Sequence, residues 1–189
     1  MKSFQKYFMD EINEDEKYKV NYPEGVYISI KPTEITIKSI EKYIKRNLPE
    51  NFDVVQDLHC TLIYSRKPHV DELQVKNNTA LGTFKKFTTF GENNEILTIE
   101  LNSGDLKELH EKLMNDYNFV YDYDEYRPHI TLSYNCKNVN TASLPEVDFT
   151  FEFNEITVEP LDTEKYKDSD GEETFAGKYI KKDQETEKE

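Results

Sequence analysis

Two stretches of this 189-residue chain, LHCTLIYS at 58–65 and RPHITLSY at 127–134, carry the same H-x-T-L-x-Y pattern, with their histidines seventy residues apart. On an extended strand, residues i and i+2 share a face about 6.5–7 Å apart. His59 then points with Thr61, and His129 with Thr131, while Leu58, Cys60, Leu62 and Tyr64 turn to an apolar back, as do Ile130, Leu132 and Tyr134. Two such fronts across a cleft would bring two imidazoles and two hydroxyls to one volume. That set suits phosphodiester chemistry without a metal. A neutral histidine takes the proton of the attacking hydroxyl, a protonated one gives a proton to the leaving oxygen, and a pKa near 6.5 makes both forms accessible. Each positioned acid or base is worth roughly 10²–10⁴-fold. Threonine hydroxyls can donate to the non-bridging oxygens as charge builds there. Arg127, Lys31 and the Lys85–Lys86 pair are candidates for adding positive potential. One H-x-T is a weak signal; two copies in strand context are a much stronger one.

The elements that must position these residues repeat as well. VYISIK (26–31) alternates Val26, Ile28 and Ile30 against Tyr27, Ser29 and Lys31, as a half-buried strand does. PTEITIKSIEKYIKRNLPE follows as a helix, with Thr33 as its N-cap and Pro49 closing it. EILTIELN (95–102) alternates Leu97, Ile99 and Leu101 against Thr98 and Glu100, and Ser103 caps a second helix striped by Leu106, Leu109 and Leu113. Strand, capped helix and H-x-T strand therefore occur twice. Between the units lies a loop at 65–82, then TFKKFTTF–GENN–EILTIELN, a hairpin around a Gly/Asn turn. VDFTFEFNEITVEPL (147–161) is the longest strand signal. Phe149, Phe151 and Phe153 share a face that runs on to Glu155, Thr157 and Glu159 unless a bulge intervenes. Three segments result: a helical, polar lead-in at 1–20 with Phe4, Phe8 and Ile12 on one stripe, a single domain at 21–162, and an acidic, partly disordered extension at 163–189 in which ETFAGKYI forms a short strand.

Composition narrows the function classes. A formal charge of −14 argues against a duplex-binding face, which needs clustered Lys and Arg, but not against a small anionic ligand in a locally basic pocket. Thirteen tyrosines and eleven phenylalanines, with no tryptophan, must fill much of the core. Two cysteines make no disulfide framework, and no Cys/His cluster has metal-ligand spacing, so neither metal nor cofactor is expected. Without a signal-like or membrane-length apolar run, the expected compartment is a reducing cytoplasm. His69 and His110 stand alone and read as surface residues; Cys60 alternates away from His59 and reads as core. Tyr27 faces the polar side of its strand, where its ring could stack on a base for roughly 1–3 kcal/mol.

From about Gly25 to Leu161 the chain resembles the two-histidine (2H) phosphoesterase superfamily, the resemblance being carried by HCTL and RPHITL. It implies an α+β, LigT-like fold: two pseudo-twofold lobes whose antiparallel sheets line a central cleft, with helices packed outside. EGVYISIKP, LHCTLIYSRK and VEPLD further resemble the bacteriophage anti-CBASS nucleases, which destroy cyclic di- and trinucleotide alarm signals of bacterial antiviral defence. That resemblance assigns catalytic roles to His59, Thr61, His129 and Thr131. It assigns substrate contacts to Tyr27 and to an acidic residue of the last strand, either Glu155 or Glu159. The tryptophan such enzymes stack on a base has no counterpart here, which leaves Phe87 or Phe90 for that place, with Arg127 as a further substrate contact. The function implied is metal-independent cleavage of 3′,5′-linked cyclic di- and trinucleotides, with no duplex DNA and no membrane as partner. The alternatives are an RNA-end or 2′,5′-specific phosphodiesterase, a non-catalytic cyclic-nucleotide sponge, and an acidic DNA-mimicking inhibitor.

Overall fold

The structure, a computed structural model, describes residues 17–18, 22–69, 73–91, 93–121, 123–136 and 139–161. The expected helix around Phe4–Ile12, the ETFAGKYI strand and the acidic extension lie outside them. Two short strands, β1 (Lys17–Tyr18) and β4 (Leu73–Gln74), pair with each other. Six longer strands close on themselves in the order β2-β3-β7-β6-β5-β8, all antiparallel. They are β2 (Val26–Pro32), β3 (Cys60–Ser65), β5 (Ala80–Phe90), β6 (Ile96–Asn102), β7 (His129–Ser133) and β8 (Phe151–Pro160). The helices are α1 (Glu34–Asn47) and α2 (Gly104–Tyr117). This is the expected α+β architecture of two lobes, β8-β2-β3 with α1 and β5-β6-β7 with α2. The repeat of seventy carries β2 onto β6 and α1 onto α2 residue for residue in their bounds.

Both helices start where a hydroxyl satisfies a free amide: Thr33 accepts from Thr36 N, and Ser103 accepts from Leu106 N at 3.0 Å. Ile40, Tyr43 and Ile44 of α1, with Leu106, Leu109 and Leu113 of α2, are buried in one core with Ile28, Ile30, Leu62, Ile99, Phe151 and Phe153. The helices cover the outer, apolar face of the closed sheet, so its inner face is left to the polar members of each alternation.

Four register slips decide which residues those are, one of them in β5, where Phe84 pairs with Leu101 but Lys86 with Glu100 and Lys85 is extra. Ile28 pairs with Ile63 but Ser29 with Thr61, so Leu62 is extra and both Leu62 and Ile63 are buried. Leu97 pairs with Ser133 but Thr98 with Thr131, which makes Leu132 extra in the second copy. Alternation resets at both places. Tyr64 and Tyr134, expected on the apolar back, are instead turned away from it: Tyr64 lies edge-on to Tyr27 at 6.4 Å, and Tyr134 is 60% exposed. The fourth slip, between Lys31↔Glu155 and Pro32↔Phe153, makes Asn154 extra. Phe151 and Phe153 stay in the core, and Glu155, Thr157 and Glu159 move to the inner face. The Phe-rich strand starts at 151 rather than 147, and at ten residues is shorter than the eleven of β5.

Two histidines expected at the surface are buried. His69 exchanges backbone hydrogen bonds with Tyr22 and packs its ring on Tyr117 and Phe119. His110 points inward from α2. A lone histidine gives no periodic signal, and the aromatic neighbours that bury these two are distant in sequence.

Gly25 opens β2 at φ +121°, where an added Cβ would lie 2.1 Å from the Ser65 carbonyl oxygen. Gly25→Ala should therefore cost more than about 2 kcal/mol in denaturant unfolding, strain and overlap acting together. A loss below about 0.5 kcal/mol would contradict this packing.

Candidate active site

β3 and β7 meet at one residue pair, Cys60 opposite Ile130. Both side chains are fully buried on the apolar side, so the residues flanking them, His59 and Thr61 on one strand and His129 and Thr131 on the other, face inward. Continued from that pair, the antiparallel register sets His59 across from Thr131 and Thr61 across from His129. The four residues singled out by sequence thus sit in one patch, and His59 lies close enough to His129 to depress its protonation.

Each imidazole is fixed by the backbone. His59 Nδ1 lies 2.8 Å from the Asp57 carbonyl oxygen, and His129 Nδ1 lies 2.8 Å from that of Arg127. A carbonyl only accepts, so both Nδ1 atoms carry hydrogen and both Nε2 atoms are left for chemistry. The Tyr27 hydroxyl reaches His59 Nε2 and Thr61 Oγ1, each at 2.8 Å. When His59 is neutral, Tyr27 donates to Nε2 and accepts from Thr61; when His59 is protonated, the pair of bonds reverses.

The surroundings of the two histidines differ. Burial pushes the His129 imidazolium below its usual range, the Arg127 carbonyl and Glu100 oppose that, and His59 adds to it. Glu100 is the direct cross-strand neighbour of His129 and is itself buried. Burial alone would raise its carboxyl, but Lys85 at 2.5 Å and Lys86 at 3.4 Å outweigh that and hold it below the usual carboxylate range. These lysines are the pair named as candidates for adding positive potential; two of them on one carboxylate leave a single net positive charge beside His129. Beside His59, Lys31 is paired with Asp57 at 3.1 Å.

The remaining sequence-selected residues divide. Phe90 lies on the inner face, 42% exposed, its ring centre 5.9 Å from that of His129. Phe87 is one of the two phenylalanines proposed for that place, and it points the other way. Three residues from Phe90, it stacks on Tyr43 at 5.7 Å and packs on Phe84 on the apolar side. Glu159 pairs with Tyr27 and Glu155 with Lys31, so both acids share the inner face, separated by Thr157, which is hydrogen-bonded to Ser29. Arg127 offers its carbonyl to His129, while its guanidinium is turned outward beside Glu125 at 3.4 Å. Tyr64 and Glu100 were not anticipated; the first was hidden by the bulge, and the second by looking like an ordinary solvent-facing strand residue. Among the described residues no cluster of three or more His, Cys, Asp or Glu could hold a metal, and no helix is long and apolar enough to cross a membrane.

Residues 24–168, well over half of the chain, match the family model described as anti-CBASS protein Acb1. The chain belongs to this family. A curated relative of that name, from Yersinia phage phiR1-RT, is 26% identical over 117 residues, covering 59% of this chain and 72% of the relative. Among solved structures, a phosphoesterase matches with a TM-score of 0.50 at 16% identity, over 72% of this chain and 87% of its own. E. coli LigT complexed with 3′-AMP matches with a TM-score of 0.50 at 15% identity, over 72% and 86%. The LigT-like fold is thereby established for this member of the anti-CBASS family.

The electrostatics yield a titration test. Folded His129 takes up a proton less readily than an unfolded imidazole, so stability should fall as pH drops below about 6.5 and level off below the folded pKa. In a histidine NMR titration its midpoint should lie under 6.5. Glu100→Gln should move that midpoint further down, because it removes the negative charge and leaves Lys85 and Lys86 uncompensated. An upward move would refute this account of the site.

Proposed function

We propose that this chain is a metal-independent phosphodiesterase that opens 3′,5′-linked cyclic di- and trinucleotides and so silences cyclic-nucleotide alarm signals in the bacterial cytoplasm. The observation that carries this reading is the seam register, which gathers two Nδ1-anchored imidazoles and two threonine hydroxyls on one inner face in a chain of the anti-CBASS family.

His129, held neutral, is the base: its Nε2 takes the proton of the ribose 2′-hydroxyl, and the 2′-oxygen attacks phosphorus. His59 is the acid, giving its Nε2 proton to the departing 5′-oxygen as the P–O5′ bond breaks. Thr61 and Thr131 donate to the non-bridging oxygens, where charge grows most. The first product is linear and ends in a 2′,3′-cyclic phosphate. Water can then open that ring with the two histidines exchanging roles, leaving a 3′-phosphate. Tyr27 must swing its hydroxyl off His59 Nε2 as the leaving oxygen arrives, and its ring serves as a stacking surface. Phe90 stands in the place of a second stacking ring, beside His129. Glu155 and Glu159, on the same inner face as Tyr27 and Lys31, accept hydrogen bonds from the exocyclic amines of a base.

Chromatography of cyclic di- and trinucleotides incubated in EDTA tests the reading. Linear products ending in a 2′,3′-cyclic phosphate or 3′-phosphate are expected, with turnover undiminished by the chelator. His59→Ala and His129→Ala should each lower it at least 10²-fold, roughly the value of one proton-transfer partner, with the fold retained. A substrate lacking the 2′-hydroxyl should resist. Intact cyclic oligonucleotides beside hydrolysed 2′,5′-oligoadenylate would give the site to the 2′,5′-specific activity, and binding without cleavage would make the chain a sponge.

Binding separates the two parts of Tyr27. Tyr27→Ala should weaken cyclic-dinucleotide affinity about 5- to 150-fold, the span of 1–3 kcal/mol for one stacked base. Tyr27→Phe keeps the ring and should bind near the wild-type level in calorimetry. Equal loss in both variants would assign the affinity to the hydroxyl instead.

A further inference from the structure

β3 and β7 diverge on either side of the Cys60–Ile130 pair, and the strand carbonyls beyond it need other donors. On β3 these are the carbonyls of Thr61 and Leu62, the two residues at the bulge, and side chains of the opposite lobe meet them. The Tyr126 hydroxyl donates to the Thr61 carbonyl at 2.9 Å. His110 Nδ1, from α2, donates to the Leu62 carbonyl at 2.7 Å. The two rings lie face to face, 4.1 Å between centres and 6° from parallel. Tyr121 closes against His110 edge-on at 4.7 Å. The same tie is made in reverse seventy residues on. The Leu132 carbonyl, at the bulge of β7, accepts from Val55 N in the segment that leads into β3. Each lobe therefore grips the bulge of the other lobe's H-x-T strand.

A bulge is the soft point of a strand, because its extra residue has no partner to hold it. Here it falls directly after His59-x-Thr61, so a shift of the Thr61 and Leu62 peptides would move the first imidazole and hydroxyl relative to the second pair. Burial keeps His110 from being protonated readily, which suits a group that serves as a fixed donor rather than as a titrating one.

We propose that His110, stacked on Tyr126, is a positioning residue. The two rings clamp the bulge at Thr61–Leu62 across the lobe boundary and thereby set the alignment of His59 with His129. This inference rests on the phosphodiesterase reading for its kinetic consequence, though not for its structural one.

Two substitutions separate the donor from the stack. His110→Phe keeps a ring on Tyr126 and removes the donor; His110→Asn removes the ring and places an amide where Nδ1 was. His110→Phe should lower kcat about 10- to 100-fold, the scale of a misplacement of about 1 Å, with KM within about twofold. His110→Asn should recover most of that loss even if its Tm is the lower of the two. Independently of activity, the His59 ring resonances should shift in His110→Phe and return towards wild type in His110→Asn. Unmoved His59 resonances with wild-type kcat in His110→Phe would overturn the proposal. So would parallel losses in both variants that track Tm. If the wild type leaves every cyclic oligonucleotide intact, the functional reading falls and the His59 resonances alone decide the clamp.

Discussion

The pairing of Cys60 with Ile130 is the contact on which the site depends. It is a backbone event: neither side chain takes part in chemistry, and both are sealed in the core. Alternation then leaves no freedom over where their neighbours point. His59, Thr61, His129 and Thr131 flank that pair, so one antiparallel junction turns four polar groups to the same face. Everything around the junction serves to hold two strands that otherwise separate. The remaining strands close the sheet so that β3 and β7 are not free edges, and the helices press the apolar backs of both lobes inward.

The parts of this arrangement written in local pattern were legible in the sequence. Period-two alternation gave β2 and β6, leucine spacing and Thr33 or Ser103 gave the two helices, and the duplicated H-x-T gave the two strands that meet. The parts that were not legible depend on a partner strand. A bulge is a mismatch between two strands, and one strand's sequence carries no count of the other. For that reason Tyr64, Tyr134 and the acids of β8 were assigned to the wrong face, or left undecided between faces. Phe87 and Phe90 are three apart, an odd spacing that a regular strand must split between its faces. Only the structure says which of them meets His129. His69 and His110 fail for a related reason, since the aromatic neighbours that bury them come from distant segments.

An overall charge of −14 does not by itself exclude a small anionic ligand. Fields from exposed carboxylates decay over about 8 Å at physiological ionic strength, so groups on the inner face decide the local potential. Few of those groups are free cations. Lys85 and Lys86 are committed to Glu100, and Lys31 to Asp57. The proposed reaction therefore relies on neutral donors, two threonine hydroxyls and a tyrosine, together with the two imidazoles. Such donors stabilise charge where it develops without binding every anion tightly beforehand.

The duplicated motif makes the two histidines equivalent, and its neighbours make them different. Both rings owe their tautomer to the carbonyl two residues before, a requirement that any residue type satisfies, which is why Asp57 and Arg127 can occupy equivalent places. The difference enters from the adjacent strands. β2 presents Tyr27, Ser29 and Lys31 to the inner face, whereas β6 presents Ile96, Thr98 and Glu100. A hydroxyl therefore covers the reactive nitrogen of His59, while His129 faces an aromatic ring and a lysine-bound carboxylate. Acid–base catalysis in a single step needs one group that gives a proton and one that takes it. In a perfectly symmetric pair a single proton would sit on either ring with equal weight, and neither histidine would have a fixed role. In this fold duplication supplies the geometry, and divergence of two strands that carry no H-x-T supplies the inequality.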